Sequence, residues 1–158
     1  MASSAAAESA TTSLVLKREF DAAPERVFDA WLDPKQIARW IGPRGVNATA
    51  EILEARVGGR YRIMMHMDSG ATPIVGGRFR EIVRPERLVF TWAWEGEHPN
   101  GVGGHETIVT LTFKKVGEKT EMTLRHDNFE SQSARDSHSY GWSGSFDKLA
   151  EALTGAAR

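Results

Sequence analysis

From about residue 48 to residue 126 apolar and polar positions alternate with a period of two. Before and after that stretch the period lengthens to that of a helix. Side chains of a strand point to opposite faces in turn, so the alternation predicts successive strands, each with one inward face. The densest stretch is Gly76 to Glu95, GGRFREIVRPERLVFTWAWE, two strand-like runs joined at Arg84-Pro85-Glu86-Arg87. Its second run puts Leu88, Phe90, Trp92 and Trp94 on one face and Val89, Thr91 and Ala93 on the other. Two tryptophans on one strand predict an aromatic wall, backed either by a large helix or by an apolar cavity.

The remaining elements follow from the same periodicities. Ser13 to Phe20 predicts a first strand with Leu14, Leu16 and Phe20 on one face. Pro24 suits the first turn of a helix, where its missing N–H is not needed, and Val27, Phe28, Trp31 and Leu32 follow at helical spacing. Asp33-Pro34-Lys35-Gln36 predicts a second short helix, with Asp33 as N-cap, Pro34 at the first position and Gln36 closing a capping box. Ile37, Trp40 and Ile41 give it an apolar side, and Gly42-Pro43 ends it. Ile52 marks a strand, Gly58-Gly59 a tight turn, and Tyr61, Ile63, Met65 and Met67 the inward row of the next strand. Gly76-Gly77 reads as turn and bulge glycines. After a polar loop from Gly96 to Gly104 comes the row Thr107, Val109, Leu111 and Phe113. A turn at Val116-Gly117-Glu118-Lys119 then leads to Met122, Leu124 and His126. Beyond a polar link (Asp127 to Ser133), His138, Trp142, Phe146, Leu149 and Leu153 form one stripe of a long terminal helix.

Strand, two short helices, five or six further strands and a long helix make an α+β domain. A twisted sheet of that size curls, and the striped helix fits its concave side. The expected organisation is a leader over residues 1–12, one domain over 13–153 and a frayed tail over 154–158. The 158 residues carry a net charge of -1, with basic side chains scattered among acidic ones. That excludes the clustered Lys and Arg of a dedicated nucleic-acid binder. Without cysteine there is no thiol nucleophile, disulfide framework or Cys-ligated zinc. No apolar run approaches the roughly 20 residues of a membrane span, and the start has no basic or leucine-rich signal segment. A cytoplasmic protein with no membrane partner is expected.

An ordered set of short motifs adds a family resemblance. It comprises Ala23-Pro24-Glu25-Arg26-Val27-Phe28, Trp40-Ile41-Gly42-Pro43, Arg56-Val57-Gly58-Gly59, Gly77 and Glu81-Ile82. It continues with Pro85-Glu86-Arg87-Leu88, Thr91-Trp92, Leu124-Arg125-His126 and Gly141-Trp142. Over residues 13 to 153 the chain resembles the SRPBCC (START-like) superfamily, in its branch of activators of the heat-shock-protein-90 ATPase. The resemblance implies a helix-grip fold, a curved antiparallel sheet around a long C-terminal helix, with an apolar binding cavity between them. It also implies a chaperone ATPase or a second copy of the chain as partners. Ile41 departs from the branch pattern, which often has tryptophan there, at a position bordering the implied pocket. The second domain of the eukaryotic activator has no expected counterpart, which weighs against chaperone stimulation.

The chemistry-bearing residues are few. His126 shares an inward face with Met122 and Leu124 and is expected near the pocket mouth, able to accept a proton or orient a ligand carbonyl. The plainer alternative is a strand-end histidine bonded to backbone. His138 starts the helical stripe one turn before Trp142 and could face His126; otherwise it is a partly exposed helix-start residue. His105 is expected at the far rim, His98 in the polar loop, and His66 toward solvent with Arg60 and Arg62. No local metal spacing occurs, so neither a metal nor a cofactor is expected. Ser137, Ser139, Ser143 and Ser145 lie within a helical pattern and form no nucleophile elbow. Gly141 and Gly144 in that helix imply close helix–sheet approach or reserved space, since each costs roughly 1 kcal/mol relative to Ala.

The expected ligand-lining set is Trp40, Tyr61, Met65, Phe79, Phe90, Trp92, Trp94, His126, His138, Trp142 and Phe146, joined by Trp31 in the aromatic reserve. It would enclose a few hundred cubic ångströms, with Met65 and Met67 making the wall adaptable. The leading expectation is a non-catalytic domain that binds a small apolar or aromatic molecule. The alternatives are a chaperone-associated interaction domain and a cyclase- or hydrolase-type enzyme using His126 as base.

Overall fold

A computed structural model of the chain describes residues 12–96 and 104–154. Nearly all of the expected leader, His98 in the polar loop, and the tail beyond residue 154 lie outside the described residues. The order is β1 Leu14–Phe20, α1 Pro24–Leu32, α2 Pro34–Trp40, β2 Asn47–Leu53 and β3 Arg60–His66. Then follow β4 Ile74–Val83, β5 Arg87–Trp94, β6 Thr107–Val116, β7 Lys119–Asp127 and α3 Gln132–Leu153.

The seven strands form one antiparallel sheet in the order β1-β7-β6-β5-β4-β3-β2. Strands β2 to β7 are sequential hairpins, and β1 returns to pair with the last strand, Leu14 opposite His126 and Phe20 opposite Thr120. The sheet curls around α3. The inward rows read from the sequence supply the core: Ile63, Leu88, Val109, Leu111, Met122 and Leu124 are all at most 1% exposed. Each such side chain contributes about 1.5–3 kcal/mol of transfer free energy. The α3 stripe faces them, with His138, Trp142, Phe146, Leu149 and Leu153 all buried. Between the two, α1 inserts Phe28 edge-on to Phe113 at 5.3 Å and Trp31 against Phe90 at 6.1 Å.

Four local expectations change. The Gln36 amide donates to the Asp33 carboxylate at 3.1 Å, instead of its oxygen accepting the Asp33 backbone N–H as in a capping box; the same carboxylate accepts the Lys35 N–H at 2.9 Å. Asp33 ends α1 as well as starting α2. Helix α3 begins within the expected polar link, because the Ser131 hydroxyl caps it by accepting the Ala134 N–H at 3.1 Å. Met67 falls past the end of β3 and is 37% exposed, so it walls nothing.

Gly76 and Gly77 are not at a bulge. The irregularity lies between Phe79 and Glu81, while the two glycines let neighbouring strands approach. A Cβ at Gly76 would sit 2.8 Å from the Tyr61 carbonyl oxygen, and one at Gly77 would strike the Thr91 carbonyl. The room so kept is used: the Tyr61 hydroxyl donates to the Thr91 carbonyl at 2.5 Å, and the Arg78 N–H donates to the Thr91 hydroxyl at 2.9 Å.

Candidate functional site

Strands β5 and β7 and the first half of α3 bring five nitrogen-bearing rings together. The indole N–H groups of Trp92 and Trp94 both donate to His138 Nε2, at 3.2 and 3.0 Å. Indole only donates, so Nε2 is the acceptor and the proton sits on Nδ1, which donates to the Ala134 carbonyl at 2.7 Å. His126 shows the opposite tautomer. Its Nδ1 accepts the Trp142 N–H at 3.1 Å, and its Nε2–H donates to the Thr107 hydroxyl at 2.7 Å. That hydroxyl in turn donates to the Trp92 carbonyl at 2.9 Å. The two imidazoles lie 5.2 Å apart, edge to face.

Burial pushes His126 well below the ordinary histidine value, and neighbouring His138 adds to the shift. Burial lowers His138 too, partly opposed by the bond to the Ala134 carbonyl and by Glu130. Both rings are therefore neutral near pH 7, as the indole donors require. His126 is fully enclosed, away from any mouth, and its partners are side chains rather than the backbone expected of a strand-end histidine. With both nitrogens engaged it has no lone pair facing an open space. His138 is buried rather than half-exposed, and it does face His126.

Two small spaces flank this cluster. The first, about 20 Å³, lies among Trp31, Ile37, Ile41 and Leu53 on one side and Tyr61, Ile63, Phe79, Phe90 and Trp92 on the other. The second, about 30 Å³, is walled by Ile41, Gly42, Pro43, Met65, Trp92 and Trp94, and by Ser137, His138, Gly141, Trp142 and Ser145 of α3. Each has room for about one water, far below the few hundred cubic ångströms expected of a ligand cavity. The aromatic surplus fills the interior: Trp142 stacks on Phe146 at 5.7 Å, and Trp31 meets Trp40 edge-on at 4.6 Å.

Of the residues chosen from the sequence, Tyr61, Phe79 and Phe90 line the first space, Met65, Trp94, His138 and Trp142 the second, and Trp92 both. Trp40, His126 and Phe146 are buried behind them. Trp40 donates to the Ala30 carbonyl at 3.2 Å, and Phe146 packs against Phe20. Ile41, expected to border the implied pocket though left out of the chosen set, lines both spaces. The chosen set omitted Trp31, though its place on the α1 stripe was legible. Among the described residues, its indole N–H is the one buried side-chain nitrogen or oxygen without a hydrogen-bond partner. Such an orphan costs about 1–3 kcal/mol.

The two helical glycines divide the two roles foreseen for them. A Cβ at Gly144 would lie 3.0 Å from Pro43 Cα, whereas one at Gly141 meets nothing within 4 Å. The loop after α2 is held over the second space by Lys148, whose Nζ donates to the carbonyls of Ile41, Pro43 and Val46 at 3.4, 3.3 and 3.0 Å. Burial lowers the pKa of this ammonium. No sequence pattern announced that role, because Lys148 lies off the apolar stripe.

Outside the cluster, His105 bonds the Asn128 carbonyl at 2.7 Å, and exposed His66 bonds the Thr49 hydroxyl at 2.9 Å. The described residues contain no group of three or more His, Cys, Asp or Glu fit to hold a metal. None of their helices is long and apolar enough to cross a membrane.

The curled sheet gripping a long terminal helix, with two short helices after the first strand, defines a helix-grip domain, a fold generally suited to holding ligands. The chain belongs to the AHSA1 family: the profile described as Activator of Hsp90 ATPase homolog 1-like protein matches residues 21–154. Solved structures agree. Protein CV1439 from Chromobacterium violaceum superposes with a TM-score of 0.82 at 28% identity, over 90% of this chain and 96% of that one. A protein from Arthrobacter aurescens gives 0.81 at 28% identity, over 92% and 88%. The AHSA1 protein SPO3351 from Silicibacter pomeroyi gives 0.77 at 28% identity, over 90% and 97%. No curated protein sequence matches the chain.

Proposed function

We propose that this domain binds a small apolar or aromatic molecule between the curled sheet and the helices, on both sides of Trp92, and catalyses no reaction there. One observation carries the reading: two neighbouring spaces share only the side chains of Ile41 and Trp92, and the Trp92 ring is the larger of the two partitions. Displacing that ring joins them into one slot lined by flat aromatic faces. The second space is reached past Gly141, where α3 keeps room beside Pro43 and the loop clasped by Lys148.

The enzyme alternative is weaker on physical grounds, since a general base needs a free lone pair near the substrate and His126 offers none. The test is native mass spectrometry of the purified protein followed by denaturing extraction, together with thermal shifts across a panel of apolar compounds. A retained apolar molecule or a saturable shift is expected, and Gly141→Leu, which fills the entrance, should abolish it while the fold persists. An empty protein that no compound stabilises would sink the proposal.

A further inference from the structure

One buried donor at the first space lacks an acceptor among the described residues, and that orphan identifies the ligand's polar end. The Trp142 N–H has His126 to itself, and the Trp40 N–H has the Ala30 carbonyl. Trp92 must share the single lone pair of His138 Nε2 with Trp94. Trp31, on the wall of the first space, has an N–H with no acceptor among the described residues. The rings of Trp40, Phe90, Trp142 and Phe146 pack around its indole, and aromatic rings are at best weak acceptors. A water held in the first space would find few of the two to four polar partners it needs, because the rest of that wall is almost wholly hydrocarbon.

We infer that the bound molecule carries an uncharged oxygen acceptor on its apolar body, and that the Trp31 indole N–H donates to it. This rests on the ligand-binding reading above and narrows it. A donor group would leave the Trp31 N–H unserved. An ionised group would lose its water with no opposite charge to meet it, since neither space has an Asp, Glu, Lys or Arg on its wall. Ketones, quinones, lactones and esters on an aromatic or alicyclic frame fit; carboxylates, phosphates and amines do not.

The test compares 1-indanone with indane, two probes that share a frame and differ in the carbonyl. Both are titrated into the full-length protein while the five tryptophan indole N–H resonances are followed by NMR. Indanone should bind roughly three- to tenfold more tightly than indane, the usual net gain from one buried hydrogen bond. It should also move the Trp31 indole proton downfield, which indane should not. Trp31→Phe keeps an aromatic ring and removes the donor, so the ratio of indanone to indane affinity should fall to about one, whatever the smaller ring does to both affinities together. If that variant does not fold, the wild-type shift of the Trp31 proton decides. Equal binding of the two probes with that proton unmoved would overturn this inference and leave the ligand site standing. A preference that survives in Trp31→Phe would overturn it too. Binding of neither probe would remove the inference together with the site on which it rests.

Discussion

The two ends of the interior obey different rules. Around the second half of α3 the core is hydrocarbon: Phe20, Phe28, Leu111, Met122, Leu124, Phe146 and Leu149 are at most 2% exposed and line neither of the two small spaces. Toward the start of the helix, His138 accepts from two indoles and the second small space lies beside it. The difference lies in the polar atoms. Aliphatic side chains slide until voids close. Rings tied by N–H bonds are held at angles that serve the bond, so gaps between them stay open. The filled end is built for stability, and the hydrogen-bonded end keeps a shape that a ligand can use.

The largest break in that comparison should come from truncating the filled end. Phe28→Ala removes a fully buried ring packed on Phe113 and should cost about 3–5 kcal/mol in urea unfolding. Acid should act from the other end. His126 and His138 are both lowered below the ordinary value of 6.5 by burial, so the unfolded chain takes up protons before the folded one does. As pH drops from 7.5, stability should hold until about pH 6.5 and then fall toward the folded-state values, at up to about 2.7 kcal/mol per pH unit for two protons. Asp29, Asp33, Glu54 and Glu95 have lowered values, so their losses begin only near and below 3.8–4.5, outside this window. Urea midpoints between pH 7.5 and 5.5 measure the slope. His138→Gln, which can still offer a carbonyl to the indoles, should halve it; an unchanged slope would place the acid sensitivity elsewhere.

Periodicity made most of this architecture legible, because period two and period 3.6 sort inward from outward side chains whatever touches them later. The β5 row, the α3 stripe and the Asp33 cap followed directly from it. What periodicity cannot convey is how inward side chains share space. It placed His126 on the correct face but near an opening, when Thr107 from β6 and Trp142 from α3 enclose it. It supplied the aromatic surplus without telling a lined cavity from a filled one, since that depends on ring angles set by bonds across elements. The Gly76-Gly77 pair was read as a bulge because a glycine in a strand signals close approach without naming the neighbour, here the Tyr61 and Thr91 carbonyls. Lys148 was missed for a similar reason: three loop carbonyls bind it, and none is near in sequence.

Adding volume sharpens the contrast between the ends. Leu124→Phe, at a position with no exposure, forces its neighbours off their rotamers and should cost about 1–3 kcal/mol. Ile41→Phe enlarges a side chain that borders both spaces, so the same stability measurement should register less than about 1 kcal/mol. Equal losses would mean that the spaces cannot accept atoms.

The smallest effect is the most discriminating, because it compares one substitution at two positions of one helix. Gly141→Ala gains helix propensity and adds a methyl that meets nothing, so it should stabilise the protein by about 1 kcal/mol. Gly144→Ala gains the same propensity but drives its methyl to 3.0 Å from Pro43 Cα and 3.2 Å from the Arg44 nitrogen. Those are backbone atoms of the loop clasped by Lys148, and they cannot yield without straining that clasp. Gly144→Ala should therefore be neutral or destabilising, and the difference between the two melting temperatures measures how firmly the loop is held. If both alanines stabilised equally, the loop would be free to lift, and the entrance beside Gly141 would open without breaking the Lys148 bonds.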